Sequence, residues 1–338
     1  MSSPAPQLKQ LPRFSLGRLP TPLHALPRLT EKLHGPALYV KRDDLTGLAT
    51  GGNKTRKLEF LIADALSKNA DTVITAGGPQ SNHCRQTAAA AAIAGLACRL
   101  VLGGDPQPPL GNLLLDRLLG AEVHWTPKKQ RNQTMADLAA ELKAEGKRPY
   151  VIPIGGSNAV GVVCYVHAMV ELAEQLRQQK ISIDRIVLAT SSGGTHAGMV
   201  LGAKLTGFRG EVTAISIDQT PEDFDGGFCR EVLENAAGAA ALLDGDVSLT
   251  VDDFQLEFGY LGEGYGVVGD LERNSIREVA KTEGLIVGPV YTSRAMGALL
   301  DLIRRGKFGS DESILFWHTG DESALHAYAD DLVGEGRG

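Results

Sequence analysis

The chain has little of several residue types that mark whole classes of protein. Only 5% of its 338 residues are aromatic, and it has four cysteines: Cys84, Cys98, Cys164 and Cys229. These cysteines are far apart and form no C-x-x-C pair, so they indicate neither a disulfide framework nor a zinc site. We therefore expect reduced thiols, a reducing compartment and no bound metal.

An excess of positive charge and a long apolar run are also missing. The formal net charge is −6 and the sequence pI is about 5.8, which argues against a nucleic-acid partner. No apolar run approaches the roughly 20 residues that a membrane helix needs. Residues 1–11 lack the apolar segment of a secretory signal. We expect a cytoplasmic protein that binds neither nucleic acid nor membrane.

Glycine is plentiful, with 40 residues, and strand-like runs alternate with helical ones. The strand-like runs are rich in β-formers and cover residues 37–44, 72–75, 98–102, 122–125, 150–153, 185–189, 211–217 and 313–317. The helical patterns cover residues 54–68, 84–94, 111–119, 134–145, 160–178, 195–205, 270–283 and 293–305. This alternation predicts an α/β fold with mostly parallel sheets.

Lys54 follows a pair of glycines and begins a predicted helix. Helical spacing places it on one stripe with the apolar residues Leu58, Leu61, Ile62, Ala65 and Leu66. Its amine should point toward the core, at the positive end of the helix dipole. Both effects favour a neutral, nucleophilic amine, which suits a Schiff base with pyridoxal phosphate. A lysine that extends from a frayed first turn into solvent fits the position equally well.

A polar turn with two glycines joins the strand-like run 72–75 to an alanine-rich helix. It carries Ser81, Asn82 and His83. Ser81 and Asn82 are favoured helix N-caps, so capping explains them without a ligand. The same geometry, together with the amides of the helix N-terminus, could hold a substrate carboxylate.

A third turn, residues 190–195, follows the strand-like run 185–189. Adjacent Gly193 and Gly194 let backbone N–H groups converge, and the hydroxyls of Ser191, Ser192 and Thr195 add donors. This composition predicts a phosphate site without a lysine in the turn. Serine–glycine turns are common, so the pattern is specific only together with a core-facing lysine.

Two further positions lie at element ends. Tyr291 precedes the predicted helix 293–305, and Thr319 follows the strand-like run 313–317. From spacing alone, a capping Thr292 and an ordinary strand end are the better explanations of these two positions.

Together these motifs resemble the pyridoxal-phosphate enzymes of the D-cysteine desulfhydrase and 1-aminocyclopropane-1-carboxylate deaminase family. The resemblance extends from about residue 21 to residue 328. It is carried by Lys41-Arg-Asp-Asp44, Gly51-Gly-Asn-Lys-Thr-Arg-Lys-Leu-Glu59, Gln80-Ser-Asn-His83, Tyr150-Val-Ile-Pro153, Gly155-Gly-Ser157, the turn at 192–195, Gly264-Tyr-Gly266, Pro289-Val-Tyr291 and His318-Thr-Gly320.

The resemblance implies fold type II of the pyridoxal-phosphate enzymes, the tryptophan-synthase-β class. In that class two doubly wound α/β domains hold the cofactor between them, and homodimers are usual. We assign residues 1–48 plus 163–338 to a larger, phosphate-binding domain and residues 49–162 to a smaller one.

The resemblance also implies roles in binding pyridoxal phosphate. Lys54 would bond covalently to the cofactor, and Ser191, Ser192, Gly193, Gly194 and Thr195 would hold its phosphate. Asn82 would contact the ring oxygen, Tyr291 would stack near the pyridine ring, and Thr319 would face the pyridine nitrogen.

The implied reaction is an α,β-elimination of a small amino acid, most similar to that of D-cysteine desulfhydrase. Ser81, Asn82 and His83 would bind the substrate, and Lys54 would take its α proton. Tyr265 and Tyr291 would shuttle protons or activate the leaving group. Alternatives are L-cysteate sulfo-lyase, then 1-aminocyclopropane-1-carboxylate deaminase. In a different class, a non-catalytic pyridoxal-phosphate-binding protein would not need Lys54.

The chain departs from the family pattern at several positions. Family members that open the cyclopropane ring look to carry Glu and Leu where this chain has Thr292 and Thr319, which favours the desulfhydrase. Asp321 stands where relatives usually have a second glycine, Arg294 replaces a usual lysine, and Ser191 replaces a common glycine. These departures bear on the substrate more than on the cofactor.

Overall fold

The computed structural model describes residue 8 and residues 10–333. The strands in this part of the chain are β1 (Leu23–Ala25), β2 (Ala37–Arg42), β3 (Thr72–Gly77), β4 (Ala97–Gly103), β5 (Glu122–Thr126), β6 (Pro149–Val151), β7 (Arg185–Thr190), β8 (Glu211–Ser216), β9 (Gln255–Glu257) and β10 (Ser313–His318).

The α-helices alternate with these strands. They are α1 (Pro27–Leu33), α2 (Lys54–Ser67), α3 (Asn82–Ala94), α4 (Gly111–Leu118), α5 (Arg131–Ala144), α6 (Ala159–Gln179), α7 (Gly194–Thr206), α8 (Pro221–Asp223), α9 (Cys229–Leu242), α10 (Asp270–Glu283), α11 (Thr292–Arg304) and α12 (Ala329–Val333). Short 3₁₀ turns occupy Asp43–Thr46, Leu48–Thr50, Lys128–Gln130, Ile154–Gly156, Val251–Asp253 and Glu322–Tyr328, and a π turn occupies Phe224–Phe228.

The strands form two sheets. One has six strands in the order β1-β2-β10-β7-β8-β9, and the other has four in the order β5-β4-β3-β6. All neighbouring strands pair in parallel except β1 and β2, which are antiparallel at an edge. Parallel neighbours require long crossovers, which the intervening helices provide. The predicted α/β fold with mostly parallel sheets is therefore confirmed.

Each sheet draws its strands from one predicted domain. The four-stranded sheet uses strands between residues 72 and 151, and the six-stranded sheet uses strands between 23 and 42 and between 185 and 318. Helix α2 contacts both α3 and α6, so it lies where the layers of the two sheets meet. The boundaries at residues 48 and 162 stay a prediction.

Helix α6 is the long central helix. Among the described helices it alone is long and apolar enough to cross a bilayer, with 21 residues and a mean hydropathy of 1.3. It packs against α2, α7 and α9, and its apolar residues, including Val162 and Tyr165, are buried in the main core. Its packing is that of a core helix.

A buried ion cluster joins α2 and α6 to the six-stranded sheet. Its members are Lys41, Asp43, Arg56 and Glu171. Arg56 lies 2.8 Å from Asp43 and 2.9 Å from Glu171, and Lys41 lies 2.5 Å from Glu171. Burial raises the pKa of Glu171, but Arg56 and Lys41 outweigh it and lower that pKa to about 2. Further donors to Asp43 are Thr21, Tyr165 and Trp317.

Candidate active site

A cavity of about 550 Å³ lies where carboxyl ends of strands from both sheets meet. Gly77 and Gly103 end two strands of the smaller sheet there, and Ser191 and Asp218 follow two strands of the larger one. A second cavity of about 30 Å³ adjoins it and shares lining residues, among them Lys54. Carboxyl ends of parallel strands are the usual ligand site of such folds.

Eleven of the twelve predicted site residues line one or both cavities. They are Lys54, Ser81, Asn82, His83, Ser191, Ser192, Gly193, Thr195, Tyr265, Tyr291 and Thr319. The twelfth, Gly194, is buried at the start of α7. The structure therefore brings together residues from positions 54 to 319 of the chain.

Lys54 is the first residue of α2 and lines both cavities. Its amine is half-buried and donates to Asn53 Oδ1 at 3.1 Å. Burial lowers the pKa of Lys54 to about 8, against the opposing effects of Cys164 and Asp321. This position agrees with an amine that is held in a cavity and is partly neutral near physiological pH.

Lys57, one turn further along α2, was not among the predicted residues. It is fully buried, and its Nζ donates to the carbonyl of Gly155 at 2.9 Å and to Ser157 Oγ at 3.1 Å. Burial and then the charge of Lys54 lower the pKa of Lys57 to about 7. The i,i+3 spacing from Lys54 was the signal in the sequence, because residues three apart share a helix face.

The turn before α7 has the shape of an anion site. Gly193 has a φ of 72°, which favours glycine, and α7 begins at Gly194 with no acidic residue in its first turn. A Cβ on Gly194 would lie 2.5 Å from Ser157 Oγ and 2.9 Å from Lys57 Nζ. Helix amides, the hydroxyl of Ser192 and the Lys57 amine thus converge, and this arrangement fits a phosphate.

Asp218 contacts the same turn and was also missed. Ser191 Oγ donates to Asp218 Oδ2 at 2.6 Å. Burial raises the pKa of Asp218, although the hydrogen bond from Ser191 lowers it. The hydroxyl proton of Ser191 is therefore engaged by a carboxyl group.

The start of α3 combines capping with access to the cavity. Ser81 Oγ accepts from the Cys84 amide at 3.2 Å, so the expected N-cap is present. The ring of His83 is within hydrogen-bonding distance of Thr75 Oγ1, at 2.9 Å. Burial, with smaller effects from Lys54 and Lys57, lowers the pKa of His83 well below its usual value. His83 is therefore neutral and offers no positive charge to a carboxylate.

Tyr265 and Tyr291 form a pair at the cavity wall. Their hydroxyl oxygens are 2.5 Å apart, and their ring centroids are 5.7 Å apart. Burial is the largest cause that raises the pKa of each phenol. Buried Arg294 supports the Tyr265 loop because it donates to the carbonyls of Gly264 at 3.2 Å and Val267 at 3.0 Å.

Thr319 follows β10 and lines the smaller cavity. Its carbonyl accepts from the Asn53 amide at 2.9 Å. Within residues 10–333, its hydroxyl makes no hydrogen bond to protein. It is therefore available to a ligand atom such as a ring nitrogen.

The outer wall of the larger cavity carries two cations, Lys128 and Arg131. Arg131 Nε donates to the carbonyl of Lys128 at 2.8 Å, and a Cβ on Gly103 would lie 2.9 Å from Arg131 Cδ. Neither cation forms an ion pair with a carboxylate in the described part of the chain. Asp105 lines the same cavity.

One group of possible metal ligands lies elsewhere. Ligand atoms of Asp44, His318 and Glu322 lie within 4.8 Å of one another. Arg42 already pairs with Asp44 at 2.6 Å, so this carboxylate is neutralised by protein.

Comparison with known proteins defines the class. Residues 14–320 match the family model described as pyridoxal-phosphate dependent enzyme, so the chain belongs to that family and uses pyridoxal phosphate. It is similar to the D-cysteine desulfhydrase of Salmonella newport (strain SL254), at 41% identity over 336 residues, covering 96% of this chain and 98% of the relative. The D-cysteine desulfhydrase of Serratia proteamaculans (strain 568) is 40% identical over 334 residues, covering 95% and 97%.

Solved structures agree with this family. A crystal structure of an ACC deaminase homologue matches with a TM-score of 0.89 and 38% identity, covering 98% of this chain and 99% of that one. O-ureido-L-serine synthase matches with a TM-score of 0.68 at 16% identity, covering 99% and 97%, which indicates a shared fold. The predicted family, fold and cofactor are confirmed.

Proposed function

We propose that this protein is a carbon–sulfur lyase that converts D-cysteine to pyruvate, sulfide and ammonia by α,β-elimination. The observation that carries the proposal is the Lys54 amine, held in one cavity between an anion-binding turn and a pair of tyrosines. The similarity of nearly the whole chain to D-cysteine desulfhydrases supports the choice of substrate.

Five groups would hold the cofactor. Lys54 would bond to it, Lys57 and the 191–195 turn would bind its phosphate, Asn82 would donate to its ring oxygen, and Thr319 would face its ring nitrogen. Pyridoxal phosphate, when bound, supplies an electron sink for charge that develops at the substrate's α carbon. The uncharged hydroxyl of Thr319 suits a mild sink, which is sufficient when a good leaving group departs.

Lys54 would then act as the base. With a pKa of about 8, a fraction of its amine is neutral at pH 7 and able to accept the proton from the substrate's α carbon. The Ser81 hydroxyl and the backbone N–H of Asn82, at the start of α3, would hold the substrate carboxylate beside it. His83, being neutral, would contribute shape and hydrogen bonding rather than charge.

The tyrosine pair would serve the leaving group. Because their pKa values are raised, Tyr265 and Tyr291 both stay protonated at neutral pH. One hydroxyl would give a proton to the sulfur as the Cβ–S bond breaks. The second hydroxyl, in contact with the first, would then pass its own proton to the first. The enamine that leaves takes up water and gives pyruvate and ammonia.

L-cysteate sulfo-lyase is a second candidate because of one observation. Lys128 and Arg131 face the cavity from its outer wall without a carboxylate partner in the described chain, and a sulfonate is a matching anion. The ring-opening deaminase is less well supported, since the Thr292 hydroxyl is engaged by Gly288 and Gly320. A non-catalytic protein would not need the Lys54 amine.

A product assay tests the proposal. The enzyme loaded with pyridoxal phosphate is given D-cysteine, L-cysteine, L-cysteate and aminocyclopropane carboxylate in turn. Sulfide from D-cysteine supports the proposal; sulfite from L-cysteate or 2-oxobutanoate as the main product contradicts it. Arg131→Gln is the matched variant: it should raise KM for L-cysteate and leave D-cysteine turnover nearly unchanged.

The cysteines bear on the compartment in which the protein works. The four buried, unpaired cysteines suit a reducing compartment such as the cytoplasm. The homodimer is proposed from the family resemblance, and light scattering of the purified protein tests it.

A further inference from the structure

Asp321 occupies an unusual backbone position beside the cavities. It follows Thr319 and Gly320, it is 1% exposed, and its φ of 100° lies in the left-handed region that favours glycine. A residue with a side chain is strained in this conformation, and it keeps the conformation only where surrounding contacts hold it in place. The contacts of the carboxylate show what holds it there.

Three donors from two distant segments meet on this carboxylate. Asn82 Nδ2 donates to Oδ1 at 2.9 Å, and the amides of Val290 and Tyr291 donate to Oδ2 at 2.8 and 3.0 Å. A Cβ on Gly288 would lie 2.3 Å from Asp321 Cβ, so the facing turn needs glycine to make room. In the described part of the chain, no lysine or arginine forms an ion pair with Asp321.

These contacts fix the orientation of the Asn82 side-chain amide. Asn82 Oδ1 accepts from Asn112 Nδ2 at 2.9 Å, and one hydrogen of its Nδ2 is used by Asp321. The amide therefore cannot flip without losing both partners. The second Nδ2 hydrogen is left for the cavity that Asn82 lines.

We propose that Asp321 is a positioning residue, whose carboxylate fixes the Asn82 amide and the Tyr291 turn relative to each other so that both face the cofactor. The proposal rests on the roles proposed above for Asn82 and Tyr291. It does not depend on which amino acid is the substrate. A glycine at this position would have a relaxed backbone but none of the three hydrogen bonds.

The positioning should depend on pH. Burial raises the pKa of Asp321 to about 7, against the hydrogen bonds from Tyr291, Val290 and Asn82. Below that pH the carboxyl group gains a proton and loses acceptor capacity, so the two segments are held less firmly. Titratable or charged groups that interact with it electrostatically are Lys54, Arg85, Tyr265, Tyr291, Glu322 and Tyr328.

The test uses Asp321→Gly and Asp321→Asn, with Glu322→Gln as the matched control. Glu322 is the adjacent acid and makes no hydrogen bond to Asn82 or Tyr291 among the described residues. Three quantities are measured for each loaded enzyme: the rate of pyridoxal-phosphate release, the visible absorption band from pH 6 to 9, and kcat and KM. The thermal midpoint of the cofactor-free protein reports folding separately.

We expect Asp321→Gly to fold as well as the parent protein, to release cofactor about tenfold faster and to lose about tenfold in kcat. Its absorption band should no longer change near pH 7. Asp321→Asn should do the same, because its NH2 group would face one of the donors from which the carboxylate accepts, the Asn82 amide or the backbone N–H groups. Glu322→Gln should match the parent in cofactor release and kcat. Its absorption band should still change with pH, at a somewhat lower pH, because the Glu322 charge contributes to the raised pKa of Asp321.

Parent-like cofactor release and an unaltered pH profile in both variants would overturn the proposal. So would loss of folding in both, since Asp321 would then be a stability residue. Failure of the D-cysteine assay leaves these cofactor measurements interpretable, so the two proposals fail separately.

Discussion

Helix α2 carries buried cations into two different surroundings. In the buried ion cluster, Arg56 contacts the carboxylates of Asp43 and Glu171 within 3 Å. At the cavities and the adjoining phosphate turn, the amines of Lys54 and Lys57 donate only to amide, carbonyl and hydroxyl oxygens of the described residues. The first arrangement satisfies its charges and serves the fold, whereas the second lowers the pKa of both amines and serves a ligand.

Replacing Lys54 should have the largest effect. Lys54→Ala removes the proposed base and the covalent attachment point, so turnover should fall by at least about 10³-fold. The fold should be nearly intact, because among the described residues the Lys54 amine donates a hydrogen bond only to Asn53. Activity and the visible absorption band are measured, with circular dichroism as the control for folding. Substantial activity in this variant would contradict the catalytic role proposed for Lys54.

Breaking the buried ion cluster should affect stability instead. Glu171→Gln leaves Lys41 and Arg56 with one carboxylate between them. Removing one partner of a buried pair typically costs about 3–5 kcal/mol. Chemical denaturation should show this loss, while the absorption band of the folded enzyme stays unchanged. Tyr150→Phe, which removes a hydrogen bond to Asp64 far from the cluster, is a suitable control.

Lys57→Met should weaken cofactor binding by about 10- to 100-fold, or about 1.4–2.8 kcal/mol, because one charged contact to the phosphate is lost. Equilibrium titration with pyridoxal phosphate measures this. Methionine keeps most of the side-chain volume. Binding equal to that of the parent would mean that the helix amides and hydroxyls are sufficient by themselves.

The two regions should also respond to pH, with stability rising with pH in both cases but in separate ranges, acid for the ion cluster and alkaline for Lys57. Glu171 has a folded pKa of about 2 against 4.5 for the ordinary group, so its stabilisation is present above pH 4.5 and is lost as the pH falls toward 2. Lys57 has a folded pKa of about 7 against 10.5, so the unfolded chain binds more protons between these values. Stability of the cofactor-free protein should therefore rise with pH there, by at most about 1.4 kcal/mol per pH unit for this group.

Denaturation curves at several pH values check this prediction. Lys57→Met should flatten the alkaline slope and Glu171→Gln the acid one. If Lys57→Met changed the acid slope and Glu171→Gln the alkaline one, the charge states assigned to Lys57 and Glu171 would be wrong.

Local patterns in the sequence were sufficient for the fold. Helix α10 begins and ends where predicted, because glycines at 269 and 284 flank it and Gly284 adopts the left-handed conformation that ends helices. Strands β1 and β9 were missed; each has three residues and lies at an edge of the six-stranded sheet. Such edge strands are defined by their neighbours.

The sequence predicted the individual turns of the site but not the contacts between them. The turns that carry Lys54, Ser81 and Ser192 were recognisable from composition. The partners that tune them lie far away in sequence: Ser157 is 100 residues from Lys57, and Asp321 is 239 residues from Asn82. Spacing along the chain carries no information about contacts of that kind.

The position of Arg56 between Lys54 and Lys57 has a consequence for the whole helix. Successive residues of an α-helix are rotated by about 100°, so Arg56 points away from the side that carries the two lysines. Its bonds to Asp43 and Glu171 therefore set the rotation of α2 about its own axis. If α2 rotated about its axis by one residue, Arg56 would lose its carboxylate partners and the Lys54 amine would leave the cavity. The ion pairs of Arg56 therefore fix the direction in which Lys54 points.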